Sequence, residues 1–380
     1  MRVVIVGAGV LGASAAFHLA KAGADVTIVD AHLDGRATAA GAGIICPWLN
    51  GAEDMNFYRL YAGGAEYYPD LLNALAAAGA GDTGYRQPGA MLVSAEAAEL
   101  DWTEHFSARR QADSPSMGVV ERLTPQQARA RFPPLRADLG AVFVGGGARV
   151  DGRRLAAALL TAAQHHGATV VQGHAAVVTR SGRAVGARVG NEIFPADTVV
   201  VTAGAWAAEV LRPLGADLSV LPQRGQIVHL DLEGVDTSRW PVILPPGEHY
   251  IVPFDNGRLV CGATRETGSG FDYRVTAAGQ AEVLAEGLRI APGLGVATMV
   301  ETRIGFRPMG AGLRPVLGWV PGVEALAVGN GLGAAGLTIG PLAGRMLADL
   351  VLGQPAFLDL APFDPGRRGV VHTGVAEVLR

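Results

Sequence analysis

Two kinds of hydrophobic pattern alternate along this chain, and they predict two different sheets. Residues 2–6 (Arg-Val-Val-Ile-Val) are mostly apolar at successive positions, the pattern of a parallel strand buried on both faces. An apolar helix over residues 13–22 follows, with Gly23 as its C-cap, and residues 26–30 (Val-Thr-Ile-Val-Asp) make a second buried strand. Elements of this kind return as a helix over 155–166 with strands over 167–171 and 197–204. They return again as a strand over 325–328 with a helix over 340–352. A short meander, 176–179 and 184–189, sits inside the middle group. The intervals between the groups are richer in aromatic residues and in alternating strands such as 249–254 and 258–263, which Asp255-Asn256-Gly257 joins as a hairpin.

The turn between the first strand and helix reads Gly7-Ala8-Gly9-Val10-Leu11-Gly12. Gly7 suits a tight turn, Gly9 lets backbone amides approach a pyrophosphate, and Gly12 lets the helix pack closely on the strand. The helix N-terminus then faces the phosphates, where unpaired N–H groups and the positive dipole end favour an anion. Asp30, followed by Ala31, stands at the tip of the second strand, placed to accept hydrogen bonds from ribose hydroxyls. The whole is a dinucleotide cradle. The expected fold class is α/β (α+β overall), with a Rossmann-like domain assembled from residues 1–49, 146–206 and 305–380. Residues 50–145 and 207–304 are expected to form an interleaved substrate domain on a mixed or antiparallel sheet.

Composition narrows the partners. The chain has 380 residues, enough for two cores, and a net charge of -4 with 17% charged residues, which leaves no electrostatic footprint for nucleic acid. Its two cysteines, Cys46 and Cys261, make neither a disulfide framework nor a metal site. The first strand begins at residue 2, so no signal peptide is expected and the cytoplasm is the expected compartment. Residues 325–344 contain no charged side chain, but glycines and Pro341 interrupt them. They read as strand, loop and buried helix rather than a transmembrane span, with peripheral membrane contact and homo-oligomerisation left open. Lys21 is the only lysine and sits at the far end of the first helix from the phosphate turn, which removes lysine-based covalent mechanisms.

Further motifs extend over nearly the whole chain. They are Arg36-Ala-Thr38-Ala39-Ala40-Gly41-Ala-Gly43-Ile44; Pro222-Gln-Arg-Gly-Gln226; His249-Tyr250-Ile-Val-Pro253 with Gly257-Arg-Leu-Val-Cys-Gly-Ala-Thr264; Gly305-Phe-Arg307-Pro308; and Gly329-Asn-Gly331-Leu-Gly333-Ala334-Ala-Gly336-Leu337-Thr338-Ile-Gly340. In these the chain resembles the flavin-dependent D-amino acid oxidase and glycine oxidase family, which includes bacterial D-amino acid dehydrogenases. The resemblance implies FAD, wrapped by residues 36–44 and by the final glycine loop and helix, with further contacts from Ala176, Ala203, Gly204 and Trp206. Relatives that tether flavin through cysteine carry it near the motif around Arg307. None lies there, so the FAD is expected to be non-covalent. Asp30 stands where the family more often has glutamate, which suits FAD and also NAD.

Chemistry gives these motifs reasons. An amino acid bound for oxidation must offer its Cα–H to the flavin, so its carboxylate needs a planar bidentate anchor, and Arg307 fits. Tyr250, on a strand expected to line the pocket, would donate its hydroxyl to the same carboxylate. Gly331, Gly333 and Gly336 would let backbone N–H groups reach the flavin where negative charge develops. The expected reaction is hydride transfer from the α carbon of a neutral amine to FAD, then imine hydrolysis to a keto acid and ammonia, with no obligatory base. His249 would point to the opposite face from Tyr250 and is assigned none. Trp48, Phe57, Tyr58, Tyr61, Tyr67 and Tyr68 would wall an apolar pocket or pack helices. The favoured substrate is a neutral D-amino acid or a cyclic imino acid, with glycine or sarcosine as the alternative, and the electron acceptor is O2 or a quinone or other carrier. An NAD-dependent dehydrogenase and a non-catalytic flavin-binding protein are the readings of other classes.

Overall fold

Parallel pairing begins where the apolar run begins: Arg2–Val6 lies between Asp25–Asp30 and Thr198–Val201, with Val3, Val4, Ile5 and Val6 in register against both. The computed structural model describes residues 1–49, 51, 54–216, 218–310 and 314–367. It extends this pairing into a six-stranded sheet in the order Val316–Trp319, Leu326–Asn330, Thr198–Val201, Arg2–Val6, Asp25–Asp30, Thr169–Gln172. Only Val316–Trp319 runs antiparallel to its neighbour. Successive side chains face opposite ways, so Val3 and Ile5 enter one core and Val4 and Val6 another. Helices Val10–Lys21, Gly152–His165 and Gly336–Leu352 pack on the first face. The antiparallel meander Ala175–Arg180, Arg183–Val189, Glu192–Pro195 covers the second through Ala184 and Ala187.

The last helix starts earlier than its sequence suggests, at Gly336 rather than near residue 340, and runs through Pro341. A proline cannot donate to the carbonyl four residues back. That carbonyl, on Leu337, instead accepts the Tyr68 hydroxyl at 2.5 Å, while Ser14 Oγ donates to Pro341 O at 2.6 Å. The helix therefore tolerates its proline because two other helices satisfy or grip the backbone around it. The stretch Gly333–Leu352 is long and apolar enough to cross a membrane, and 67% of its most apolar window is buried within the protein. Its buried face meets Val10–Lys21 and Met55–Glu66.

The alternating segments build the second, nine-stranded sheet. Its order is Glu266–Thr267, Val220–Asp231, Arg258–Gly262, Tyr250–Pro253, Val242–Leu244, Ala90–Ser94, Gly140–Val144, Val120–Leu123, and Thr298–Gly310 also pairs with Val220–Asp231. All pairs are antiparallel except Val242–Leu244 against Ala90–Ser94. The expected hairpin is present, with Asn256 (φ 59°) and Gly257 (φ 78°) supplying the left-handed turn. The long strand Thr298–Gly310 pairs with Val220–Asp231 along its length, with a register shift at His229/Leu230 and an unbroken register from Glu301 to Gly310, so residue 305 falls in mid-strand of the larger sheet. Of the third expected Rossmann segment, residues 311–313 and 368–380 lie outside the described residues, as does Asn50 of the second domain.

Candidate active site

The carboxyl ends of the parallel strands and one face of the larger sheet enclose a cavity of about 2060 Å³. A site for one drug-sized ligand measures roughly 300–1,000 Å³. The space here suits an extended dinucleotide with a small substrate beside it.

The parallel-sheet wall is made mostly of backbone and small side chains. Gly7 has φ +106°, and a Cβ there would lie 2.6 Å from Thr202 O, so both the conformation and the neighbour require glycine. Gly12 does not line the cavity; a Cβ on it would meet Gly7 O at 2.0 Å, which is the close packing expected of it. The first turn of Val10–Lys21 carries no acidic residue, and Val10 N donates to Thr38 Oγ1 at 3.0 Å, which ties residues 36–44 to the helix start. Asp30 accepts from Ala8 N at 2.6 Å and His32 N at 2.7 Å, and Arg36 Nη1 stands 3.6 Å away. This fixes a carboxylate at the strand tip beside the glycine turn.

Of the sequence-expected cofactor residues, Gly7, Ala8, Gly9, Val10, Leu11, Asp30, Ala31, Arg36, Thr38, Ala39, Ala40, Gly43, Ile44, Ala176, Ala203, Gly204, Trp206, Gly333, Ala334, Gly336 and Leu337 line the cavity. Gly331 and Thr338 do not. Gly331 approaches Arg314 O, which a Cβ would meet at 2.8 Å, and Thr338 Oγ1 donates to Ile44 O at 3.0 Å, pinning the end of residues 36–44 from behind the cavity wall. The cradle, the strand-tip carboxylate and the small-residue walls fit an FAD. Bound there, its phosphates would face the helix N-terminus and residues 36–44, and its ring system would reach the larger sheet. Cys46 lines the cavity, and burial pushes its thiol up to about 12, so it stays neutral.

The opposite wall presents side chains. Strand register sets Arg307 across from Gln223 and Tyr250 across from Gly262. Arg307 Nη1 donates to Thr264 O at 3.0 Å and to Gln223 Oε1 at 3.4 Å. A Cβ on Gly225 would lie 2.6 Å from Arg307 Nη1 and Nη2, and one on Gly262 would lie 2.5 Å from the Tyr250 ring. Both glycines let a functional side chain lie flat across the neighbouring strand. Burial raises the Tyr250 phenol, opposed by the nearby Arg307 and Arg265 charges, so it remains a donor. Burial also lowers Arg307 from its usual value, with Tyr250 opposing, yet a guanidinium keeps its proton.

Several residues here carried no role in the sequence reading. Gly225 sits inside the Pro222-Gln-Arg-Gly-Gln226 motif, whose Arg224 turns away to pair with Glu266 and, at 2.8 Å, Asp272. Arg265 and Glu248 both line the cavity and approach to 2.9 Å. His249 precedes the strand that begins at Tyr250 and contributes to the cavity lining, while its ring turns to the opposite face as expected, its Nε2 3.5 Å from Glu282 on the helix Ala277–Ile290 that packs there. Of the aromatic group, Phe57 and Tyr61 reach the cavity, while Trp48, Tyr58, Tyr67 and Tyr68 are buried in packing.

Comparison with known proteins places this geometry among flavoenzymes. The family described as FAD dependent oxidoreductase matches residues 2–350. The solved iminodiacetate oxidase from Chelativorans sp. BNC1 is 52% identical, covers 96% of this chain and 99% of its own, and superposes with a TM-score of 0.93. The oxidoreductase YurR of Bacillus subtilis is 48% identical over 95% of this chain and 98% of its own length. Glycine oxidase of Pseudomonas aeruginosa is 33% identical over 97% of this chain and 99% of its own length.

Proposed function

The chain belongs to the FAD dependent oxidoreductase family, acting on carbon–nitrogen bonds, and on that premise we propose that it oxidises the amine of glycine or of an N-substituted glycine. Relatives named for glycine and iminodiacetate, itself glycine bearing an N-carboxymethyl group, favour this over a side-chain-bearing D-amino acid or a cyclic imino acid.

The observation that carries the reading is Arg307. It is a partly buried cation facing the cavity, and among the described residues its hydrogen-bond acceptors are neutral oxygens of Gln223, Thr264 and Tyr250, with no carboxylate within 4 Å. A partly buried charge of this kind needs a counter-ion, and a substrate carboxylate supplies it in bidentate form. Tyr250 donates to the same carboxylate, so the α carbon is held in one orientation against the cavity's opposite wall. Bound FAD supplies an acceptor for hydride. With FAD held by the cradle and residues 36–44, oxidation would take the Cα–H electron pair as hydride and leave C=N, which water would hydrolyse at the carbon–nitrogen bond, while Arg307 and Tyr250 hold the carboxylate. The products are an oxo acid and ammonia or a primary amine, and O2 or a carrier takes the electrons onward. The side chains need only bind and orient a neutral amine, because no proton must leave carbon.

The test is anaerobic bleaching of the yellow holoprotein against glycine, sarcosine, iminodiacetate, D-alanine and D-proline. The glycine-type amines are expected to bleach it most efficiently. Bleaching by the D-amino acids alone, or by none of the panel, overturns the reading. Readmitting oxygen to the bleached sample reports the acceptor through the rate of recolouring.

A further inference from the structure

We infer that Gln223 is a positioning residue for Arg307: its side-chain amide, aimed by Thr267, fixes the guanidinium plane while leaving the charge free for a ligand carboxylate. The inference rests on the reading of Arg307 as a carboxylate anchor and adds the group that keeps this anchor both oriented and unneutralised.

Strand register builds the arrangement. Gln223 pairs with Thr267 on one side and with Arg307 on the other, so the three form one row across three strands, on the sheet face that Arg307 turns to the cavity. Gln223 Nε2 donates to Thr267 Oγ1 at 3.0 Å, and Arg307 Nη1 donates to Gln223 Oε1 at 3.4 Å. A guanidinium carries only donors, so the amide must turn its oxygen to Arg307, which leaves its NH2 group for the Thr267 hydroxyl. Thr264 O, at 3.0 Å, is a second acceptor for the same Nη1. Two acceptors on one nitrogen, with Gly225 beneath, hold the group flat. Gln223 itself is 8% exposed and does not line the cavity, so it acts on a ligand only through Arg307.

One step along the same strand shows the alternative. Arg224 faces the other way, across from Glu266, and is charge-paired: its Nε donates to Glu266 Oε2 at 2.9 Å, and its Nη1 lies 2.8 Å from Asp272. An arginine held like this has no charge left to offer a ligand. The position opposite Arg307 carries glutamine instead, whose neutral oxygen occupies a guanidinium N–H without cancelling the charge. At 3.4 Å the contact is weak as a hydrogen bond, but a carboxylate in the same place would be a close counter-ion, and an incoming ligand would have to displace it. Glu248, whose charge also acts on Arg307, stands more than 4 Å from it and approaches Arg265 at 2.9 Å.

The test is acetate, a carboxylate without an amine, titrated into the yellow holoprotein and followed by perturbation of the flavin spectrum, with KM for sarcosine measured beside it. Gln223→Glu, nearly isosteric, should weaken acetate binding and raise KM by more than about tenfold, the scale of a close competing charge. Gln223→Met keeps the length, removes the acceptor, and should weaken both by about two- to tenfold. Thr267→Val frees the amide and should give a smaller loss that vanishes in the Gln223→Met background, where no amide is left to aim. Acidic and methionine variants that lose affinity equally, or not at all, overturn the inference. If Gln223→Glu is purified without flavin, the Thr267→Val and Gln223→Met pair decides, and additive losses overturn it. Acetate binding that follows the expected order while no glycine-type amine bleaches the flavin overturns the substrate reading alone. A wild type that neither binds acetate nor oxidises sarcosine overturns the anchor, and with it both.

Discussion

The two walls of the cavity recognise ligands by opposite means. On the parallel-sheet side the binding surface is backbone and small residues, with Gly7 held at a φ that other residues resist and Thr38 tied to the helix start. On the larger-sheet side it is long side chains, Arg307 and Tyr250 laid over Gly225 and Gly262 of neighbouring strands, with Arg265 beside them. A cofactor common to many enzymes is matched by backbone donors, which a side-chain substitution does not remove. On the function proposed above, a substrate is discriminated by charges that a single substitution can move. Damage to one wall should therefore leave the function of the other readable.

The strongest break of this division is Arg307→Ala. Truncating one partner of a desolvated charge pair costs about 2–5 kcal/mol, so kcat/KM for glycine-type amines should fall roughly 30- to 5,000-fold, chiefly through KM. The flavin should stay bound with its spectrum intact, because Arg307 belongs to the strand Thr298–Gly310 and not to the cradle. Steady-state kinetics on the yellow protein checks both halves. Flavin lost on purification would show that the two walls are not separable.

Gly7→Ala is the converse and the next in size. Alanine at φ +106° with its Cβ 2.6 Å from Thr202 O must strain or shift the turn, at a cost on the order of 1–3 kcal/mol. FAD affinity should drop roughly 10- to 100-fold on that cost, read by titrating apoprotein with FAD and following fluorescence quenching. Once saturated with FAD, the variant's KM for substrate should match the wild type.

The same contrast explains what the sequence made legible. The cradle is written in contiguous spacing, Gly7, Gly9, Gly12 and an acid at Asp30, because one turn and one strand pair suffice to assemble it. Arg265, Glu248 and Gln223 carry no such local sign. Their nearness to Arg307 follows from the register that sets Gln223 opposite Arg307 and Tyr250 opposite Gly262, and that register belongs to segments far apart in the chain. The start of the last helix was hidden for a related reason. Pro341 reads as a break, and only the fold shows Tyr68 donating to the carbonyl that the proline leaves free. The resemblance of the Gly305-Phe-Arg307-Pro308 motif reached the second wall where spacing could not, and simple alternation set the His249 ring on the face away from Tyr250, where it meets Glu282.

The smallest effect concerns how the cradle is held rather than what it binds, and it separates the walls by pH. His18 lies on the cradle helix Val10–Lys21, and its Nε2 is 2.8 Å from the Tyr67 hydroxyl. Burial first, then Arg345 and Lys21, push its pKa down to about 3, so it is neutral in the folded protein at mildly acidic pH. His229, in the strand Val220–Asp231 of the larger sheet, is pushed down to about 4 by burial and Arg303. The unfolded chain takes up both protons near 6.5 while the folded one does not, so stability is fully present above that value and declines as pH falls. Each histidine contributes a slope of up to about 1.4 kcal/mol per pH unit over this window. His18→Gln keeps a partner for Tyr67 without a titrating group and should remove the cradle's share, leaving that of His229. Urea unfolding of the holoprotein between about pH 6 and pH 4.5 is the measurement, since this range lies above both folded values and below the unfolded one. A wild-type slope retained in the variant would place the acid sensitivity entirely in the larger sheet and remove His18 from the account.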